Sequence, residues 1–139
     1  MRLDKLALTA QEAFQGAMGV ASDAEAAVIE PIHLLKALLD ADENNIAAII
    51  KRIGADPAML AQNVDDEIGK MAKGTGGSMP VAIPGNDLIR VIDNAVKTAE
   101  KLGDAYATSE HLLIALSQDK GAAGRVLTTA GVTPKNIES

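Results

Sequence analysis

The sequence has no cysteine and no tryptophan, and Phe14 and Tyr106 are its only aromatic residues. Without cysteine there are no disulfides, no thiolate nucleophiles and no Cys-ligated zinc, a composition that fits a reducing cytosol. Two isolated aromatics do not build a base-stacking platform. No apolar run approaches the ~18 residues of a transmembrane helix. The opening Met1-Arg2-Leu3-Asp4 is not followed by the apolar stretch of a signal peptide, so a cytoplasmic location is expected. Positive charge is also short. Residues 1–70 carry 12 acids and 6 bases and residues 71–139 carry 7 of each, for a net charge of −6. The bases are scattered, with no stripe to neutralise phosphates, which argues against nucleic acid and against an acidic membrane surface as partners.

What is present is helical. The chain has 139 residues, 47% of them hydrophobic, enough for one domain with a real core. Twenty-five alanines favour helices and let them approach closely. Leu3, Leu6, Ala10, Ala13, Phe14, Ala17, Met18 and Ala21 fall on one stripe of period 3.6. Pro31 suits a first helical turn, and Leu34, Leu35, Leu38 and Leu39 follow as a buried face. Gly54 reads as a helix stop and Asp56-Pro57 as an N-cap with proline in the first position. Met59, Leu60, Val64, Ile68 and Met71 give a fourth helix its apolar face. Residues 72–86, with Gly74-Thr75-Gly76-Gly77-Ser78 and Pro84-Gly85, read as a glycine-rich linker. The helical pattern then restarts: Leu88, Ile89, Ile92, Ala95, Val96, Ala99 and Leu102 form one stripe. Thr108 caps a helix carrying Leu112, Leu113 and Leu116, and short helices fit Ala122–Thr129 and Thr133 onward.

The second half repeats the first. At an offset of 78, His33-Leu34-Leu35 matches His111-Leu112-Leu113, and Ala17, Ala21, Ala37 and Leu38 match Ala95, Ala99, Ala115 and Leu116. At 77, Gly54 matches Gly131 and Pro57 matches Pro134. The expected fold is all-α: two pseudo-symmetric four-helix repeats, residues 1–71 and 87–139, joined by 72–86 and packed as one domain without a sheet.

Catalytic constellations are scarce. His33 and His111 hold the same position in each repeat, the third of a helix, where a histidine contacts the cap or nearby backbone; a structural role is expected, and no metal. Asp40-Ala41-Asp42-Glu43-Asn44 opens like a calcium loop, but Asn45 stands where glycine is needed and Lys51 where the bidentate glutamate is needed. Gly74–Ser78 lacks the lysine and preceding strand of a phosphate loop. Ser109, Glu110 and His111 are adjacent on a helix, about 100° apart, and do not make a triad. One cluster stands out. Gly103-Asp104-Ala105-Tyr106-Ala107-Thr108-Ser109-Glu110 puts two carboxylates, a rare aromatic and a helix start within eight residues. It is either a capped turn with Tyr106 in the core or a recognition edge for a partner peptide.

Met1-Arg2-Leu3-Asp4-Lys5-Leu6, Ile29-Glu30-Pro31-Ile32-His33-Leu34-Leu35-Lys36-Ala37-Leu38-Leu39, Gly74-Thr75-Gly76-Gly77 and Leu102–Leu113 together resemble the Clp amino-terminal repeat domain, most of all in its ClpB disaggregase branch. The resemblance covers essentially the whole chain. It implies the amino-terminal domain of a hexameric AAA+ ATPase that resolubilises aggregated protein with the DnaK system. ATP and magnesium would bind in motor domains, whose Walker motifs this sequence does not contain; the chain is expected to be a non-catalytic excised domain, without a cofactor, that binds unfolded or aggregated protein and is monomeric alone. A ClpC- or ClpA-type domain that docks adaptors and substrates for a protease is the alternative. Residue by residue, the resemblance carries substrate handling to Asp104 and Glu110, and a groove-side apolar role to Ile92 and Tyr106. Ala7 stands where some relatives have a hydroxyl residue, and Asn94, Thr98 and His111 are polar where some relatives are apolar.

Overall fold

The computed structural model describes residues 1–41, 45–71 and 82–139. The calcium-loop-like run over 42–44, the Gly74–Ser78 segment and most of the 72–86 linker lie outside the described residues. Among the described residues there are eight α-helices: α1 Leu8–Asp23, α2 Pro31–Asp40, α3 Ile46–Ile53, α4 Pro57–Gly69, α5 Asn86–Lys101, α6 Ser109–Ser117, α7 Ala122–Thr129 and α8 Pro134–Glu138. None is long and apolar enough to cross a membrane. A 3-10 turn at Leu3–Lys5 precedes α1.

The two repeats, α1–α4 and α5–α8, pack with matching contacts. Helix α1 lies on α2 as α5 lies on α6; α2 meets α4 as α6 meets α8; α4 meets α7 as α3 meets α8. Helices α2 and α6 touch each other at the centre, and their sequences show it: Pro31–Leu35, Ala37 and Leu38 are buried in one, and Ser109 and His111–Ser117 in the other. A helix apolar nearly all round belongs inside. Small residues let the outer helices close in. A Cβ on Gly16 of α1 would already lie 3.1 Å from the Ala37 Cβ of α2. In the first stripe Leu6, Ala10, Ala13, Phe14, Ala17 and Ala21 are buried, whereas Met18 is exposed; Met59 and Leu102, placed on apolar stripes by periodicity, are exposed too.

The helix signals have local causes. Asp56 caps α4 by accepting the Ala58 N–H at 2.9 Å, with Pro57 next, and Gly54 ends α3 at φ +103°. Helix α5 ends at Gly103, φ +82°, where Asp104 N–H reaches the Ala99 carbonyl at 2.8 Å. The equivalent turn after α1 uses Glu25 at φ +59°, with Ala26 N–H on the Ala21 carbonyl at 2.9 Å. Glu25 accepts a left-handed backbone that costs a non-glycine residue about 1 kcal/mol.

The expectation of no sheet needs correction. Val28–Ile29 (β1) pairs in parallel with Ile83–Pro84 (β2), and Leu6 bridges Ala107 in the same sense. The two pairings are repeat equivalents, since Ile29 and Ala107, and Leu6 and Pro84, differ by 78. Gly85 N–H donates to the Ile29 carbonyl at 3.1 Å, and Ala7 N–H to the Ala107 carbonyl at 2.8 Å. Each repeat thus satisfies the other's backbone just before a helix, where unpaired polar groups would otherwise be costly. Residues 83–86, read from sequence as linker, are β2, its link and the start of α5. Strands this short carry no alternation to read.

The caps of α1 and α5 are bare. Ala7 has the extended backbone of an N-cap, φ −64° and ψ 162°, with no side-chain acceptor. Ala7→Ser is expected to stabilise the domain by about 1 kcal/mol in urea unfolding. The same change at Gly85 should fail, because a Cβ there would lie 2.6 Å from Glu30 Oε1 and from Val28 Cγ1.

Candidate functional site

The turn after α5 opens a groove. Gly103 redirects the chain, residues 104–106 bend across the surface with all three exposed, and Ala107 is held by its bridge to Leu6. Ala107 is fully buried, and Tyr106 is 54% exposed. The core placement of Tyr106 is thereby overturned: the turn leads into a capped helix and its tyrosine faces solvent. Tyr106, Leu102 from the end of α5, Asp104, Thr108, Glu110, His111, Ile114 and Glu138 of α8 line an open cavity of about 710 Å³.

His111 organises its wall. Its Nδ1 accepts the Thr108 N–H at 2.9 Å, closing the N-terminus of α6, which leaves the ring proton on Nε2. That nitrogen faces Asp104 Oδ2 at 3.2 Å. The ring accepts from the cap backbone rather than donating to it, and its second nitrogen fixes one of the groove's carboxylates. Ser109 donates to the Thr9 hydroxyl at 3.5 Å instead of engaging His111, so no Ser–His pair forms. Among the described residues no group of three or more histidines and carboxylates is placed to hold a metal ion.

Of the four residues carried over by resemblance, the fold brings Asp104, Tyr106 and Glu110 together on this groove. It does not bring Ile92, which is completely buried on the inner face of α5 and cannot touch a ligand. Leu102, Ile114 and Glu138 line the site without having been singled out. Leu102 was hidden by its place on an apolar stripe. Glu138 has no local signal, because α8 reaches the groove only through tertiary packing.

The first repeat has no equivalent groove chemistry. At the offset of 78, Ala26, Val28, Glu30 and Ile32 replace Asp104, Tyr106, Thr108 and Glu110. His33 keeps the capping bond, accepting the Glu30 N–H at 2.9 Å, but it is fully buried and its Nε2 has no partner among the described residues. Burial lowers its pKa from the ordinary 6.5. The folded state therefore resists a proton that the unfolded state accepts, and stability falls as pH drops below about 6.5. Glu30 and Asp119 act in the opposite sense at lower pH: burial raises both carboxyls, helped at Glu30 by the nearby Asp87 and Asp119 and opposed at Asp119 by backbone hydrogen bonds from Gly121 and Gly124. His33→Asn, which preserves an acceptor for the cap, is expected to flatten the fall in melting temperature between about pH 7.5 and 5.5. An unchanged slope would mean that His33 is not the acid-sensitive group.

The architecture defines a class before it defines a family: a helical double repeat with an open groove at the turn after α5. The sequence profile of the Clp repeat (R) N-terminal domain matches residues 5–130. The chain belongs to that family. It is 39% identical over 110 residues to chaperone protein ClpB of Rhodopseudomonas palustris, covering 78% of this chain and 12% of the relative. It is 33% identical over 138 residues to ClpB of Propionibacterium freudenreichii, covering 99% of this chain and 16% of that protein. The chain thus spans less than a fifth of these relatives. The Hsp104 N-terminal domain of Candida albicans superposes with a TM-score of 0.82 at 19% identity, covering 96% of this chain and 87% of that one. The N-terminal domain of the Escherichia coli ClpV1 ATPase gives 0.78 at 20% identity, covering 98% and 83%. At these identities the superpositions establish the shared fold.

Proposed function

We propose that this chain is the non-catalytic, cytoplasmic N-terminal domain of a ClpB-type AAA+ disaggregase, and that the Tyr106 groove holds exposed segments of unfolded or aggregated protein before a motor takes them. The carrying observation is the groove itself: Leu102, 57% exposed, and Tyr106, 54% exposed, line it beside Asp104 and Glu110 at the turn that leads into the capped α6. Family membership and the ClpB-named relatives support the parent, which would be hexameric, carry the ATP and magnesium sites, and work with the DnaK system.

The groove is open to solvent and only part of its lining is apolar, so each contact is weak. A patch of this kind offers about 2–4 kcal/mol at ~25 cal/mol per Å², which after association costs leaves millimolar to high-micromolar affinity. Six tethered copies would raise the effective affinity for a large aggregate while each contact still releases readily.

The test is an amide NMR titration with a permanently unfolded protein. Shifts should cluster on Leu102–Ile114 and on Glu138. Tyr106→Ala is expected to weaken binding by at least about fivefold while leaving stability within about 0.5 kcal/mol, because the side chain is largely exposed. Asp104→Asn, which keeps an acceptor for His111, should weaken it without loosening α6. Shifts confined to another face would discard this site, and no shifts at millimolar ligand would discard substrate capture.

A further inference from the structure

We infer that the groove selects cationic segments: a stretch of unfolded chain in which lysine or arginine flanks an apolar side chain. The inference rests on the groove being the substrate site. Three carboxylates line it, from three different elements: Asp104 from the turn after α5, Glu110 from the first turn of α6 and Glu138 from α8. No lysine or arginine lines it among the described residues. Arg2, the base tied to the end of α5, is committed to Glu100 at 3.2 and 3.3 Å. The remaining hydrogen-bonding groups are largely spent. Both nitrogens of His111 are used, by Thr108 and Asp104, and Ser109 is turned to Thr9. Apart from the Tyr106 hydroxyl, the groove therefore presents chiefly acceptors and negative charge.

A ligand must supply what the groove lacks. A lysine or arginine side chain can lay its aliphatic stem along Leu102 and the Tyr106 ring while its head reaches the carboxylates. The adjacent apolar residue then rests toward Ile114. A segment bearing aspartate or glutamate meets three like charges instead. The net charge of −6 adds long-range attraction of the same sign.

The experiment is an amide NMR titration of this chain with three matched peptides that share an Ile-Leu centre and are flanked by lysine, glutamine or glutamate. The lysine peptide is expected to bind about five- to tenfold more tightly than the glutamine peptide at low salt, and the glutamate peptide more weakly than either. The preference should shrink severalfold at about 0.5 M salt, where exposed charges are screened. Combining Glu110→Gln with Glu138→Gln should collapse the lysine-to-glutamine ratio towards one. Equal binding of the lysine and glutamate peptides, or a lysine preference that survives the double substitution, would overturn the inference. Groove shifts with the glutamine peptide but no charge preference would sink this inference alone and leave substrate capture standing; no shifts with any peptide would sink both.

Discussion

Ile92→Ala is expected to cost the domain about 2–5 kcal/mol and to affect ligand binding only through the loss of folded protein. Ile92 is 0% exposed and sits midway along α5, the helix that packs on α6 and also meets α2. Truncation removes three carbons from the buried core and leaves a hole that close-packed neighbours fill only in part. Urea unfolding gives the stability change. Peptide affinity measured on the folded fraction, at low temperature, separates the two readings. A stable variant with weakened binding would restore Ile92 to the groove and contradict its burial.

The second large effect is at Gly124. In isolation, glycine to alanine in a helix gains about 1 kcal/mol. Gly19, on α1 with nothing within 4 Å of its would-be Cβ, should show that gain. Gly124 on α7 should show the reverse. Its Cβ would overlap the Asp119 carbonyl oxygen, and the next nearest atoms are also Asp119 backbone. No flexible side chain is there to move aside. The bend that leads into α7 would have to open, with the Gly121 N–H bond to Asp119 Oδ2, now 3.1 Å, at risk. We expect Gly124→Ala to destabilise by about 2–4 kcal/mol, the overpacking loss exceeding the propensity gain. Thermal unfolding of both variants checks it: one substitution type, two signs. A Gly124→Ala protein as stable as Gly19→Ala would mean that the 119–124 turn yields cheaply.

Local chemistry made much of this fold readable. The stops at Gly54 and Gly131, the cap at Asp56 and the capping bonds of His33 and His111 all act within a few residues of themselves, and the 78-residue echo repeats that local pattern. So does the clustering of Asp104, Tyr106 and Glu110, which one turn and one helix start hold together.

The sequence by itself determined the helices, the doubling and the segment that carries the groove, because caps, glycine turns and a 3.6-residue period are short-range causes. Only the tertiary structure decided which faces stayed covered. Ile92 and Leu102 fall on one apolar stripe, yet the first is buried and the second is 57% exposed, because neighbouring elements cover the stripe as far as Ala99 while Leu102 caps the helix beyond its end. Ala107 is inside beside an exposed Tyr106, and Leu6, about a hundred residues earlier, pairs with it there. Glu138 joins the groove because α8 packs against α6. Those outcomes depend on contacts between segments far apart in the chain, which periodicity along any one segment does not encode.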